Sequence, residues 1–351
     1  MQCNLFNCIA RVQKLTRSLE AIGYMKALKS MKLRRLVSVI VPTYNRPVLL
    51  REALASIRAL EGDDLEFEIL VCDNGLTAES KQATADWEAF YIPVEIKGAG
   101  AARNAGLKAA TGEFIAFLDD DDIWAPGNIR PHIALFDAKP SLGAIFSQIV
   151  YTDADRVPIG NPWPDSLPDE RSELLRKLLS GYYPQIGGTV IRTAVRQAVG
   201  DFDVSLIGDQ DWDWQIRIAK AHTVGFVKAP AVFVRERPAG SFDELQLRRI
   251  PYSRQVFFRH AFSNLRIWKS PFDLWRGYRL TLWLYYKYFT DAGIERASRQ
   301  EYRSALKAFW YAFYYFPVRT TRNLLSNHSA RSAFRNSIFG IFSLKAENLV
   351  D

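Results

Sequence analysis

The sequence predicts an α/β protein: a mostly parallel sheet flanked by helices, followed by a helical extension. Three observations point that way. Short β-branched apolar runs alternate with helical patterns through the first half of the chain, as in strand–helix–strand units. The breaks between them are turn-formers: Pro42, Asp73-Asn74-Gly75 and Thr111-Gly112. Beyond about Gly240 the strands stop, and the pattern becomes helical, aromatic and basic.

The elements follow in order. Residues 36–41 read LVSVIV, a buried strand halted by Pro42. Pro47 opens a helix with Leu50, Ala53, Leu54 and Ile57 at helical spacing. Residues 67–71 form a second strand, residues 79–88 a helix and residues 92–96 a short strand. Gly98-Ala99-Gly100 leads into an alanine-rich helix to Ala110, and residues 114–118 are a fourth strand. A helix at 127–138 and a strand at 142–151 continue the pattern. Residues 152–168, rich in Pro and Asp, read as a loop. A helix at 170–179, a strand at 189–192 and a helix at 211–221 complete the core. The chain thus divides into a basic extension (1–35), an α/β domain (36–240) and a helical region (241–351).

Bulk properties narrow the class. A chain of 351 residues, 48% hydrophobic and 24% charged, has the composition of a folded protein. The net charge of +8 sits at the two ends. Residues 1–36 hold eight Lys or Arg against Glu20 alone, and residues 248–345 hold eighteen against four acids. Such flanks suit anionic lipid, nucleic acid or a phosphate-bearing ligand. No nucleic-acid-binding motif accompanies them. Cys3, Cys8 and Cys72 are too few and too badly placed for a disulfide framework, which suits a reducing compartment. Cys72 lies in an apolar run and is expected to be buried. There is no secretory core, nor any stretch near the roughly 18 apolar residues of a membrane span. A cytoplasmic protein is expected, at the inner face of the membrane if the tail binds it. Residues 1–35 are either an over-long reading frame ahead of a start at Met31 or a basic amphipathic arm.

The chemistry gathers beyond the carboxyl ends of the strands, where open α/β sheets bind ligands. Asp119-Asp120-Asp121-Asp122 ends the fourth strand. Four such close carboxylates repel one another, and a hard divalent cation, Mg²⁺ or Mn²⁺, relieves the repulsion and can bridge to a diphosphate. Asp73 ends the second strand, where a carboxylate can accept from a base edge or a ribose; a turn-forming Asp is the plainer reading. In Gly98-Ala99-Gly100-Ala101-Ala102-Arg103 small residues admit a ligand to the backbone, and Arg103 can reach a diphosphate. Arg103 also occupies the place of the third glycine in a dinucleotide fingerprint, so that motif is not met. Asp209, Asp211 and Asp213 offer a general base for an attacking hydroxyl, and Trp212 and Trp214 offer flat faces to a sugar ring. A helix start favoured by its dipole would carry the same acids.

These segments together resemble glycosyltransferase family 2. The likeness runs from Val37-Ser-Val-Ile-Val-Pro-Thr-Tyr-Asn-Arg46 through Asp73-Asn74 and Ala102-Arg-Asn-Ala-Gly-Leu107 to Thr111-Gly-Glu-Phe-Ile-Ala-Phe-Leu-Asp-Asp-Asp-Asp122, covering residues 36–237. It implies the GT-A fold, a nucleotide-sugar donor and inverting transfer to an acceptor hydroxyl. It also implies that Pro42, Thr43, Tyr44 and Asp73 line the nucleoside pocket and that Arg103 approaches the diphosphate. Asp119, Asp120 and Asp121 cover the DxD element, with Asp121 and Asp119 as metal ligands. The family commonly has a Glu-Asp pair in the acceptor region; here it reads Gln210-Asp211. Asp211 is therefore the expected base, with Asp209 and Asp213 as competitors and Trp212 beside the acceptor. Many relatives carry a His after the last core strand, and Arg235-Glu236-Arg237-Pro238 has none.

Two late segments are amphipathic. In residues 272–289, Arg276, Arg279 and Lys287 oppose Leu274, Tyr278, Leu282, Tyr285 and Phe289. In residues 298–316, Arg299, Arg303 and Lys307 oppose Ala305, Phe309, Ala312 and Phe316. Such helices either lie at a membrane interface or pack on themselves. The expected enzyme works on a glycan or lipid-linked acceptor in surface polysaccharide synthesis. The alternatives are a sugar-nucleotidyltransferase, which would want a Gly-rich basic loop after the first strand, and a non-catalytic sugar-binding scaffold.

Overall fold

The computed structural model describes residues 34–236 and 243–347. The segment with Cys3, Cys8 and Met31 lies outside the described residues, as do Arg237, Pro238 and Gly240. In chain order the first half runs β1 (Arg35–Thr43), α1 (Pro47–Arg58), β2 (Leu65–Asp73), α2 (Ala78–Asp86), β3 (Phe90–Pro93), α3 (Ala99–Ala109), β4 (Phe114–Phe117) and β5 (Ile123–Trp124). Then come α4 (Arg130–Ala138), β6 (Leu142–Thr152), β7 (Pro158–Trp163), α5 (Arg171–Leu178), β8 (Thr189–Arg192), α6 (Val195–Val199), α7 (Gln210–Ala221) and β9 (Thr223–Arg235). The described chain ends in α8 (Asp243–Phe262), α9 (Pro271–Thr281), α10 (Trp283–Ser298), α11 (Tyr302–Tyr315), α12 (Pro317–Ser326) and α13 (His328–Glu347).

The strands make one sheet in the order β3-β2-β1-β4-β8-β6-β9-β5, with β7 added to β6. The first four are mutually parallel, whereas β8 runs antiparallel to both of its neighbours. Successive strand residues face opposite sides, and β1 shows the consequence. Val37, Val39 and Val41 pack with Leu50, Ala53, Leu54 and Ile57 of α1. Ile40 faces the other way, into a cluster with Cys72, Leu107 of α3, Phe117 and the two tryptophans of α7. On that face α3 lies so close to the sheet that a Cβ on Gly106 would meet Ile40 at 2.5 Å and Cys72 at 3.1 Å. Cys72 is fully buried, and burial pushes its thiol up to about 12.

Three strands were not visible in the pattern: β5, which has only two residues, β7 and β9. β7 falls in the stretch read as a loop; all six of its residues are exposed, so no alternation marks it. β9 is interrupted by Gly225, Lys228 and Pro230, and Pro230 sits where the register against β6 shifts. Proline is tolerated in a strand at such irregularities.

The C-terminal helices are partly continuous with this core. Val256, Phe257 and Ala261 of α8 join the cluster of Leu174, Trp212 and Trp214. Ile250, Leu282, Tyr285, Phe289 and Ala312 form a separate cluster. The two segments expected to be amphipathic helices are therefore divided differently. The first breaks at Leu282, between α9 and α10, and the second begins at the end of α10. Their apolar stripes, Leu282, Tyr285 and Phe289 in one and Ala305, Phe309 and Ala312 in the other, point inward and are buried. α10, α11 and α13 pack on one another, and that covers these faces. Among the described residues no helix is long and apolar enough to cross a membrane.

Candidate active site

A cavity of about 590 Å³ opens beyond the carboxyl ends of β1, β2 and β4, closed on one side by the start of α3 and by Leu245 of α8. Strand register builds it. Ile40 pairs with Phe117, and the Leu118 N–H donates to the Ile40 carbonyl at 3.1 Å. The chain after β4 thus runs beside the end of β1, and Asp120 meets Thr43. The Thr43 hydroxyl donates to Asp120 at 2.8 Å, the Tyr44 N–H at 3.4 Å and the Arg46 guanidinium at 3.1 Å. Arg46 also reaches Asp121 at 3.3 Å. Asp119 is held by Arg103 at 2.6 Å. Burial raises the Asp120 carboxyl to about 6 against the lowering pull of Thr43 and Arg46.

Most of the expected donor-side residues meet here: Pro42, Thr43, Tyr44, Arg103, Asp119, Asp120 and Asp121 all line the cavity. Asp73 is placed otherwise. It is fully buried and accepts from the Gly75 N–H at 2.7 Å, the Thr77 N–H at 3.2 Å and the Tyr91 hydroxyl at 3.0 Å. It builds the turn after β2, and its neighbour Asn74 lines the cavity instead. Asp122 likewise turns away, accepting from the Arg235 N–H of β9 at 3.0 Å. Burial, with Asp119 and Asp121 nearby, holds its carboxyl well above the usual range.

The acidic start of α7 resolves into three environments. Asp213 is fully buried and accepts from Arg217 at 2.9 Å, Arg259 at 3.1 Å and His260 at 2.9 Å, which pins α7 to α8. Asp209 has a left-handed backbone and a side chain with no exposed surface. It accepts from Arg249 and Ser253 of α8 and, at 3.3 Å, from the Tyr285 hydroxyl of α10. Gly208 before it has φ +89, and its missing Cβ leaves room for Arg249, whose Cγ lies 2.6 Å from where that atom would be. Asp211 is half-buried and, among the described residues, has no cation within salt-bridge distance; one oxygen accepts the Trp212 N–H at 2.9 Å. Its charge is nevertheless felt in the cavity wall. Burial alone would lower the Arg103 pKa, but the carboxylates of Asp119 and then Asp211 outweigh it and hold Arg103 above its usual value.

Trp212 does not offer a face to an acceptor. It is 1% exposed, and its indole N–H donates to the Leu178 carbonyl at 3.1 Å. Trp214 is fully buried, stacked on Phe202. α7 is enclosed by the sheet, α5 and α8, so both indoles are core.

Gln210 explains how this segment departs from the Glu-Asp pattern. Its Oε1 accepts from the Gly100 N–H at the start of α3 at 3.0 Å, and its Nε2 donates to the Leu206 carbonyl. An amide can do both at once, whereas a carboxylate only accepts. The remaining amides at the start of α3 face a place suited to an anion. Arg46, Lys97 and Leu245 also line the cavity. Arg46 stands in the first motif but received no role there, because only the pairing of β1 with β4 brings it to the acids. Leu245 and Arg249 carry no signal in the sequence.

Comparison with known proteins decides the family. Residues 38–195 match the model of glycosyl transferase family 2. The chain carries a glycosyltransferase family 2 segment. Among relatives of this glycosyltransferase, an uncharacterized glycosyltransferase, YwdF of Bacillus subtilis, is 26% identical over 246 residues, 65% of this chain and 85% of the relative. The UDP-Glc:alpha-D-GlcNAc-diphosphoundecaprenol beta-1,3-glucosyltransferase WfgD of Escherichia coli is 35% identical over 104 residues. That match takes in 28% of this chain and 40% of the relative, well under half of its length. In fold, S. aureus TarS in complex with UDP-GlcNAc superposes with a TM-score of 0.52 at 19% identity, covering 89% of this chain and 92% of TarS. The fold is GT-A, a curled mixed sheet with flanking helices.

Proposed function

We propose that this family 2 glycosyltransferase moves a sugar from a nucleoside-diphosphate sugar to a hydroxyl of a lipid-linked glycan, with inversion, and that Asp211 is the general base. The observation that carries the reading is the sorting of the three aspartates. Asp209 and Asp213 are buried and neutralised by arginines, while Asp211 stays half-exposed and, among the described residues, has no cation partner. A carboxylate in that state can take a proton from an attacking hydroxyl.

Within the cavity, Thr43, Tyr44 and Asn74 are placed for the nucleoside, and Arg46, Arg103 and the start of α3 for the diphosphate. The residues fit a divalent cation. Arg46 and Arg103 already lie on Asp119, Asp120 and Asp121, so positive charge belongs at this spot. Among the described residues no three acidic, His or Cys side chains converge as a complete cage. That suits Mg²⁺ or Mn²⁺ held by one or two carboxylates, Asp121 and Asp119, with the rest of the shell from phosphate and water. Such an ion would stabilise charge on the departing diphosphate. The lipid-linked acceptor is carried over from the diphosphoundecaprenol-linked substrate in the name of the E. coli relative.

The test is a thermal-shift screen of UDP-, GDP- and dTDP-sugars with and without Mn²⁺, followed by transfer assays. A ligand that binds the folded state raises the melting temperature. One nucleotide giving a Mn²⁺-dependent shift, lost in Asp121→Ala, is the expected result. A shift that survives unchanged in Asp121→Ala would sink the metal assignment.

A further inference from the structure

Away from the cleft, α10 and α12 enclose a second cavity of about 440 Å³. Trp283, Tyr286, Lys287 and Thr290 line it from α10, and Arg319 and Arg322 from α12. Lys287 is paired with Asp291, which also lines the wall. Arg319 and Arg322 have no carboxylate within salt-bridge distance among the described residues. Arg319 lies instead on aromatic faces, 3.7 Å from the Trp283 centroid and 5.3 Å from that of Tyr286. Arg279 sits close by, 4.7 Å over Trp275, and it adds charge of the same sign. Burial and this neighbouring Arg279 push the Arg319 pKa below the usual arginine value. Among the described residues, the groove therefore holds two guanidinium groups, of Arg319 and Arg322, with no carboxylate in salt-bridge distance, its one lining acid, Asp291, being taken by Lys287.

Two further features narrow the ligand. Thr290 is 6% exposed, and its hydroxyl oxygen is buried without a hydrogen-bond partner. A buried hydroxyl left so costs stability unless something arrives to accept from it. The same two helices carry exposed apolar side chains: Val318 is 82% exposed and Leu325 71% on α12, and Trp283 and Leu284 stand exposed at the start of α10. Val318, Arg322 and Leu325 share one face of α12 at helical spacing. Apolar side chains interleaved with arginine and facing out match a membrane interface.

We propose that the groove between α10 and α12 binds the phosphate of an anionic phospholipid headgroup. Arg319 and Arg322 donate to the phosphate oxygens, the Thr290 hydroxyl donates a further bond, and Val318 and Leu325 enter the acyl boundary. This requires neither donor nor acceptor, so it stands or falls apart from the assignments in the cleft.

The test uses the full chain and sedimentation with vesicles of phosphatidylcholine alone or mixed with phosphatidylglycerol. Wild type should sediment only with the mixed vesicles. Arg319→Ala with Arg322→Ala should weaken binding roughly tenfold or more, given the attraction of each basic residue to an anionic surface. Arg254→Ala with Arg266→Ala, the same charge removed from exposed positions elsewhere, should weaken it much less. Thr290→Val, which changes no charge, should still lower binding a few-fold. Equal losses in the two double variants would reduce the effect to diffuse charge and overturn the site. Stabilisation by inorganic phosphate through Arg319 and Arg322, with no vesicle binding, would overturn the lipid in favour of a soluble anion. Melting temperatures control for folding, and Arg322→Gln, at an exposed position, serves if the double variant is unstable.

Discussion

The cleft and the α10–α12 groove hold charge in opposite ways. In the cleft each carboxylate of the 119–121 run faces an arginine, and the charges are part-buried and mutually satisfied. In the groove Arg319 faces tryptophan and tyrosine rings, and among the described residues no carboxylate lies in salt-bridge distance of Arg319 or Arg322. Compensated charge of the first kind is costly to break but adds little when intact. Uncompensated charge of the second kind does little for the fold and is left for a partner. The difference teaches which residues should matter for chemistry, which for stability and which for location.

The largest effect should come from Asp211, the proposed base, which among the described residues has no cation partner. Asp211→Asn should lower kcat about a thousandfold, the scale of a lost general base, while donor-induced stabilisation persists. The groove double variant should leave kcat on a short soluble acceptor within about twofold. Transfer that survives in Asp211→Asn would remove the base from this position.

Compensation itself can be tested next. Arg249→Met strips the cation from a carboxylate with no exposed surface and should destabilise the fold by roughly 3–5 kcal/mol in urea titrations. Adding Asp209→Asn should recover much of that loss. Arg319→Met, which breaks no ion pair, should cost no more than about 0.5 kcal/mol. Similar costs for the two arginines would erase the distinction.

Salt sharpens it more gently. Exposed charges are screened over about 10 Å at 0.1 M ionic strength, and buried pairs much less. Raising NaCl to about 0.5 M should weaken vesicle binding at least tenfold and the donor affinity by less than about threefold.

The last effect is one of pH, to which the groove's arginines contribute nothing because they do not titrate. His132 is 1% exposed, both ring nitrogens lack partners, and burial lowers its pKa from 6.5 to about 4. Between those values only the unfolded chain takes up the proton, so His132 makes stability fall as pH falls, by up to about 3 kcal/mol. Asp120, raised to about 6 by burial, acts with the opposite sign over the same range. The difference between wild type and His132→Gln isolates the histidine: the variant should lose less stability on acidification. An identical pH slope in both would mean His132 is not the group.

How much of this was legible depended on whether neighbours in sequence were also neighbours in space. The alternation of Val37, Val39 and Val41 against Ile40 gave β1 and its two faces, and the run of acids after β4 announced the cleft. The role of Arg46 was hidden because it depends on pairing with residues 74 positions away. Of the aspartates at the start of α7, Asp211 was preferred as base only through the resemblance, with Asp209 and Asp213 as competitors. Arg249, Arg259 and His260 of α8 separate them, beyond the segment that carries the family motifs. Trp212 and Trp214 read as sugar platforms for a similar reason: nothing local says that α7 is covered on more than one side. β9 was missed because Gly225 and Pro230 interrupt its pattern.

The seat of Arg249 has a consequence for how such a chain can be recombined. The space that guanidinium side chain occupies exists because residue 208 has no side chain, and the carboxylate it neutralises is the next residue along. The loop at Gly208-Asp209 and the helix α8 are therefore halves of one joint. A tail grafted from another chain would need its own arginine in register, and a loop grafted from another would need its own glycine. Shuffling that separates the two would leave either a charge with no counterion or an arginine with no room.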